Sequence, residues 1–170
     1  ATLLGRGEAK GLPLRLTAAT IGRVVDKQQT DINNMGAAMA PAAADTLLAH
    51  LRDLHRSVQD YDLIVTGDLG CVGYDLMCLL CEQKGVSLDG RYIDCGCEVF
   101  SPEQDVHAGG SGCGCSACCL NGWLFGRMLS GEIRRLLFLA TGALMSTTTS
   151  QQGESIPAIA HAVTLEVEEG

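Results

Sequence analysis

A chain of 170 residues has the length of one globular domain, or of one half of a larger two-part fold. Its formal net charge is −8, with only 12 scattered Lys and Arg, which disfavours nucleic acid and anionic membrane surfaces as direct partners because both need clustered cations. Hydrophobic residues make up 46% and aromatics 4%, beside 21 glycines, which excludes a disordered chain and calls for a core of closely packed Ala, Leu, Ile, Val and Cys.

In chain order, Ala1–Leu4 reads as the middle of a strand, which suggests a fragment or processed product. Ala1–Gly11 holds Arg6 and Lys10 but no apolar core of a secretory signal. Leu14–Asp26 alternates and is rich in β-branched residues, a long strand. After a polar loop at Asp31–Gly36, Pro41 suits the first turn of a helix whose apolar positions are Ala44, Leu47, Leu48, Leu51 and Leu54. Asp62–Thr66 is a short buried strand. The next helix has Val72, Leu76, Leu79 and Leu80 as its inner face and Lys84-Gly85 as its stop signal.

Val99-Phe100 reads as a strand end and Ser101–Asp105 as loop. Ser116–Ser130 is a helix apolar nearly all round (Ala117, Leu120, Trp123, Leu124, Phe125, Met128), hence buried on several sides. Arg135–Thr141 and Ile156–Val167 are the last strands, followed by a solvated tail. The longest apolar stretch, around Leu136–Ala140, falls far short of the ~20 residues that span a bilayer. The order of elements predicts a layered α/β architecture.

Nine cysteines invite a disulfide framework, but their number is odd and most lie in apolar runs, where Cys acts as a small hydrophobe; a reducing compartment fits better. Zinc at Cys95, Cys97, Cys113, Cys115 and Cys118 is disfavoured by the short Cys-x-Cys spacings, so no metal is assigned. Cys78-x-x-Cys81 lies within a helix, which speaks against a thioredoxin-like role.

The segment from His107 to Ala117 carries Gly109, Gly110, Gly112 and Gly114 directly before a buried helix. Glycines there allow tight backbone packing or close approach to a ligand. Neither a P-loop nor a nucleophile elbow is present: the Lys-Ser/Thr ending is missing, and Cys113 stands two residues after Ser111 where Gly is required. Of the four histidines, His50 and His55 read as solvated, His161 as structural, and His107 as the functional candidate. Asp68 follows a strand at the end where α/β folds put their sites; it either holds a ligand or caps the following helix.

Several stretches together resemble the stage V sporulation protein AD family of endospore-forming bacteria. They are Thr17–Asp26, Met35–Asp45, Asp62–Gly70, Asp94–Gly96, Pro102–Ala117, Ala140–Leu144, Gln151–Pro157 and Ala160–Ala162. The family is similar to thiolases and ketoacyl synthases, so the resemblance implies a thiolase-like fold. This chain would be the C-terminal half of a five-layered α-β-α-β-α architecture, with 1–13 the end of the first half or a linker and 14–170 the second domain.

It further implies binding of dipicolinic acid (pyridine-2,6-dicarboxylate) or its calcium complex, without chemistry, in support of uptake into the developing spore and, later, germination. The implied setting is peripheral, on the cytoplasmic face of the forespore inner membrane, beside membrane proteins of the same operon and as a homodimer. Ligand candidates are Thr66, Asp68, His107, Gly109, Gly110, Ser111 and Gly112. No cofactor and no catalytic residue is assigned. Where chain-initiating ketoacyl synthases carry Pro-His-Gln-Ala-Asn, this chain has Thr66–Gly70; where thiolases carry a Cys-x-Gly turn, it has Thr141-Gly142-Ala143. The loop near His107 and Ala108 holds no Asn. The alternative is an active acyl-transfer enzyme whose nucleophile lies outside this chain.

Overall fold

The computed structural model describes residues 4–7, 14–88 and 90–168. Five strands form one mixed sheet in the order β1-β5-β4-β2-β3. They are β1 (Leu14–Ile21), β2 (Leu63–Thr66), β3 (Tyr92–Asp94), β4 (Arg135–Ala143) and β5 (Ala158–Val167). β5 runs antiparallel to both its neighbours, while β4, β2 and β3 are mutually parallel.

Period-two alternation distributes each strand between two cores. Ile64, Leu137, Leu139, Ala158, Ala160 and Ala162 face helices α1 (Met35–Asp53) and α2 (Gly70–Glu82). Leu63, Val65, Leu136, Phe138 and Leu165 face the other way, toward Cys95, Cys119, Leu124 and Met128. These last four come from α3 (Cys95–Glu98) and from a composite helix on that side. The expected layered α/β class is therefore what the chain adopts, a sheet covered on both faces.

Small side chains set the spacing on the α1 face. Ala40, Ala42 and Ala43 are fully buried, opposite the alanines of β5. Where α1 meets α2, Gly36 and Gly73 lie so close that a Cβ on Gly73 would stand 2.9 Å from the Gly36 Cα. The glycine-rich composition is used in such contacts.

Several boundaries differ from those the local pattern predicts. β1 ends at Ile21, and the chain rejoins the sheet only through a bridge from Val25 to Ala158. α1 begins at Met35, capped by Asn34, whose Oδ1 accepts from the Ala37 N–H; Pro41 is therefore interior rather than in the first turn. The buried face of α2 is Gly70, Gly73, Met77 and Cys81, whereas Val72 and Leu79 are exposed. Gly73 sits where the two helices cross closest, Met77 and Cys81 fill the core beyond it, and Leu76 and Leu80 pack only partly against that core.

Residues 99–100 are not a strand end. The strand is β3, five residues earlier, with α3 after it. The predicted helix over 116–130 is broken into α4 (Cys115–Cys119), a π-helical turn (Leu120–Leu124) and α5 (Phe125–Leu129). Only one side is buried, through Cys119, Leu124 and Met128; Trp123 and Leu129 are exposed, because the sheet covers this helix from one direction alone. Thr141-Gly142-Ala143 belongs to β4 rather than to a turn. A short α6 (Thr147–Gln151) has the Ser146 capping box as its sole local signal. The predicted strand at Ala1–Leu4 falls largely outside the described residues.

Candidate functional site

The carboxyl ends of the parallel strands β2 and β3 and the far end of β4 converge on one edge of the sheet, where open α/β sheets place ligands. Asp94, at the end of β3, is fully buried there and organises the edge. Its carboxylate accepts from Thr66 Oγ1 at 2.6 Å, from the Leu69 N–H at 2.9 Å and from the Gly70 and Gly96 N–H groups at 2.8 and 2.9 Å. The first turns of α2 and α3 are thus capped by one side chain. Burial pushes the Asp94 carboxyl upward, and the four donors pull it back.

Of the two roles open to Asp68, capping of α2 is taken instead by Asp94, from another strand. Asp68 bridges outward. Its Oδ1 accepts from Thr141 Oγ1 at 2.8 Å, while Oδ2 faces the Gly112 N–H at 3.3 Å and Ser111 Oγ at 3.5 Å. The two longer contacts are weak, so one oxygen keeps acceptor capacity toward solvent.

The glycine loop is pinned to the same edge by backbone. The Cys71 N–H donates to Ala108 O at 2.8 Å and the Gly110 N–H to Gly96 O at 2.6 Å. No side chain fits between: a Cβ on Gly70 would lie 2.5 Å from Ala108 O, and Gly70 holds φ +68°. Tight backbone packing, one of the two roles foreseen for these glycines, is what they do here, and the same loop forms a wall. Together Asn33, Asn34, Asp68, Gly70 and Ala108–Ser111 line a hollow of about 370 Å³, within the range of small-molecule pockets.

The candidates named from the sequence separate on this geometry. Asp68, Gly109, Gly110 and Ser111 line the hollow, with Gly112 alongside through its bond to Asp68. Thr66 is fully buried behind it, bonded to Asp94 and to the Tyr92 hydroxyl. His107 is 88% exposed beside the loop, at φ +53° and 3.5 Å from Asp105. Asn33 and Asn34 carry only a polar-loop pattern; no local signal announces that α1 starts against the glycine loop.

The expectation for His50 is overturned. It is fully buried, with Nδ1 2.7 Å from Thr20 Oγ1 and Nε2 2.9 Å from Tyr61 OH and 3.0 Å from Thr164 Oγ1. Three hydroxyls satisfy the ring, so it can leave the polar face of α1 for the core. Burial, then Arg56, lowers its pKa. His55 is exposed, in line with its pattern, and His161 accepts the Gly22 N–H through Nδ1 at 3.1 Å.

The cysteines are thiols in distinct settings. Burial pushes the Cys81 thiol up to about 12, and Cys115 equally, with Cys119 and Asp68 adding to the latter. Cys95 moves up as well, again by burial. Cys81 and Cys95 are buried in the two cores and Cys115 packs against the second, so these three serve as small hydrophobes. Among the described residues, no group of three His, Cys, Asp or Glu side chains is placed to hold a metal ion.

The sequence model of the stage V sporulation protein AD family matches residues 1–166. The chain belongs to the stage V sporulation protein AD family. Its similarity to stage V sporulation protein AD of Bacillus subtilis (strain 168) is 46% identity over 153 residues, which covers 90% of this chain and 45% of the relative. The chain thus spans less than half the length of that curated member.

Among solved structures, the chain is similar to 3-oxoacyl-[acyl-carrier-protein] synthase III from Aquifex aeolicus VF5. That likeness has a TM-score of 0.46 and 14% identity, over 94% of this chain and 55% of the other. It is also similar to a ketosynthase from Xenorhabdus doucetiae, solved with its chain length factor, at TM-score 0.42 and 14% identity. The latter match covers 94% of this chain and 81% of that one.

Proposed function

We propose that this member of the stage V sporulation protein AD family binds dipicolinate as its calcium complex, without catalysing a reaction, and so supports its uptake into the spore. One observation carries the reading. The hollow at the sheet edge offers a half-buried carboxylate, two asparagine side chains and a serine hydroxyl, and among the described residues no imidazole, thiol or cation lines it.

A bare dianion would meet Asp68 unfavourably, whereas calcium takes carboxylate and carbonyl oxygens as its ligands and neutralises the dipicolinate charge. Arginines at hollows elsewhere are already engaged: Arg23 with Asp45, Arg52 with Asp53 and Arg56 with Glu166. Acyl transfer by a thiol nucleophile with an imidazole base needs both groups within reach of substrate, and the lining supplies neither.

Among the described residues no helix is long and apolar enough to cross a membrane. With a charge of −8, attachment to the cytoplasmic face of the forespore inner membrane runs through protein partners of the same operon rather than through anionic lipid. A second copy of the protein is the natural pairing partner.

Titration calorimetry on the full-length protein tests the reading. Heat of binding from dipicolinate with calcium, exceeding that from dipicolinate alone or calcium alone, supports it. Turnover of acyl-CoA thioesters by the same preparation overturns the non-catalytic part, and absence of heat in all three titrations overturns the binding part.

A further inference from the structure

Two thiols that the proposed function does not use meet beside the hollow. Cys71 stands in the first turn of α2 and is exposed; Cys97 stands in α3 and is half-buried. Their Sγ atoms are 3.3 Å apart, although 26 positions of chain separate the two residues.

We propose that Cys71 and Cys97 form a reversible redox site that takes a low-molecular-weight disulfide as its oxidant. Bringing the sulfurs to the ~2.05 Å of a disulfide requires a movement of little more than an ångström, within reach of side-chain rotation. Exposure sets the order of events. Cys71 attacks one sulfur of the small disulfide and expels the first small thiol. Cys97 then loses its proton to solvent and displaces the second small thiol from Cys71.

The balance is complete: two protein thiols and one small disulfide become one protein disulfide and two small thiols. Cys97 is suited to the second role. Its half-buried Sγ already lies 3.3 Å from that of Cys71, and burial, with the Cys71 thiol and Asp94 adding, holds its pKa up, so first attack on the small disulfide falls to exposed Cys71. The bond would tie α2 to α3, the two elements that pin the glycine loop through Cys71 N–H to Ala108 O and Gly110 N–H to Gly96 O.

The test is a peptide map of the full chain after native incubation with oxidised glutathione and trapping of remaining thiols with an alkylating agent. The expected product is a linked Cys71–Cys97 peptide, lighter by two hydrogens and restored by reductant, while exposed Cys113 and Cys118 carry only glutathione or alkyl adducts. In Cys97→Ser, Cys71 is expected to remain a stable glutathione adduct. A wild-type map in which Cys71 carries glutathione while Cys97 stays open to alkylation overturns the proposal. So does a map with neither residue oxidised while Cys113 and Cys118 react. Both readouts come from the wild-type chain and do not depend on any variant folding.

Discussion

Asp94 and Asp68 stand at the same edge of the sheet, one at the end of β3 and the other just past β2, yet they do opposite work. Asp94 is enclosed and its oxygens meet four donors, three of them backbone N–H groups. Asp68 is half-buried and has one short hydrogen bond, from Thr141. Residue type and position relative to a strand are shared. Burial and the supply of donors separate a carboxylate that holds the fold from one that keeps acceptor capacity toward solvent.

The sharpest way to break this contrast is Asp94→Ala. It leaves three buried N–H groups and the Thr66 hydroxyl without their acceptor, and the expected loss is at least about 3 kcal/mol, read by urea unfolding. A loss below about 1 kcal/mol would show that water replaces the carboxylate, and the architectural role would fall.

Gly73→Ala comes next. Its new Cβ would lie 2.7 Å from Leu69 Cβ and 2.9 Å from Gly36 Cα, so α1 and α2 must separate. The expected cost is about 1–3 kcal/mol, a measurable fall in the thermal midpoint. An unchanged midpoint would mean that the two helices have room to spare at their crossing.

His50 adds a pH dependence to the buried side of the comparison. Its folded pKa lies below the ordinary 6.5, so the unfolded chain takes up the proton first as pH falls. The stabilisation is fully present above pH about 6.5 and declines progressively below it, down through the lowered folded value. Unfolding midpoints measured between neutral and acid pH should follow this course, and His50→Gln should flatten that part of the profile. Equal slopes in the two proteins would remove His50 as its source.

Asp68→Asn sharpens the exposed side. With only one short bond at stake, stability should change by no more than about 1 kcal/mol. Calcium-dependent dipicolinate binding should fall at least about tenfold, which is about 1.4 kcal/mol of affinity, by calorimetry. Retained affinity would move the ligand elsewhere. The smallest effect belongs to His107→Ala, expected within about 0.5 kcal/mol for stability and without effect on binding, because the ring points to solvent. Weakened binding would restore His107 to the site.

The core strands are legible in the sequence because they are runs of apolar residues bounded by turn signals. Leu63–Thr66 and Arg135–Ala143 sit within a residue or two of where the pattern puts them. β3 is hidden because three residues of Tyr-Ile-Asp carry no periodicity. Of the site, the glycine loop and Asp68 stand out by type and position. Asn33 and Asn34 do not, since their role depends on α1 starting where the loop returns.

Local pattern by itself determined the α/β class, the main strands and helices, and the motifs that carry the family. These follow from hydrophobic period and turn chemistry within a window of a dozen residues. Only the tertiary structure decided which polar groups are committed to the fold and which keep free acceptor capacity at the surface. Asp94 finds Thr66 across 28 positions of sequence, and His50 finds Thr164 across 114. The energy of such a group depends on partners and burial that no local pattern encodes, so two aspartates alike in sequence part company only once the sheet has formed.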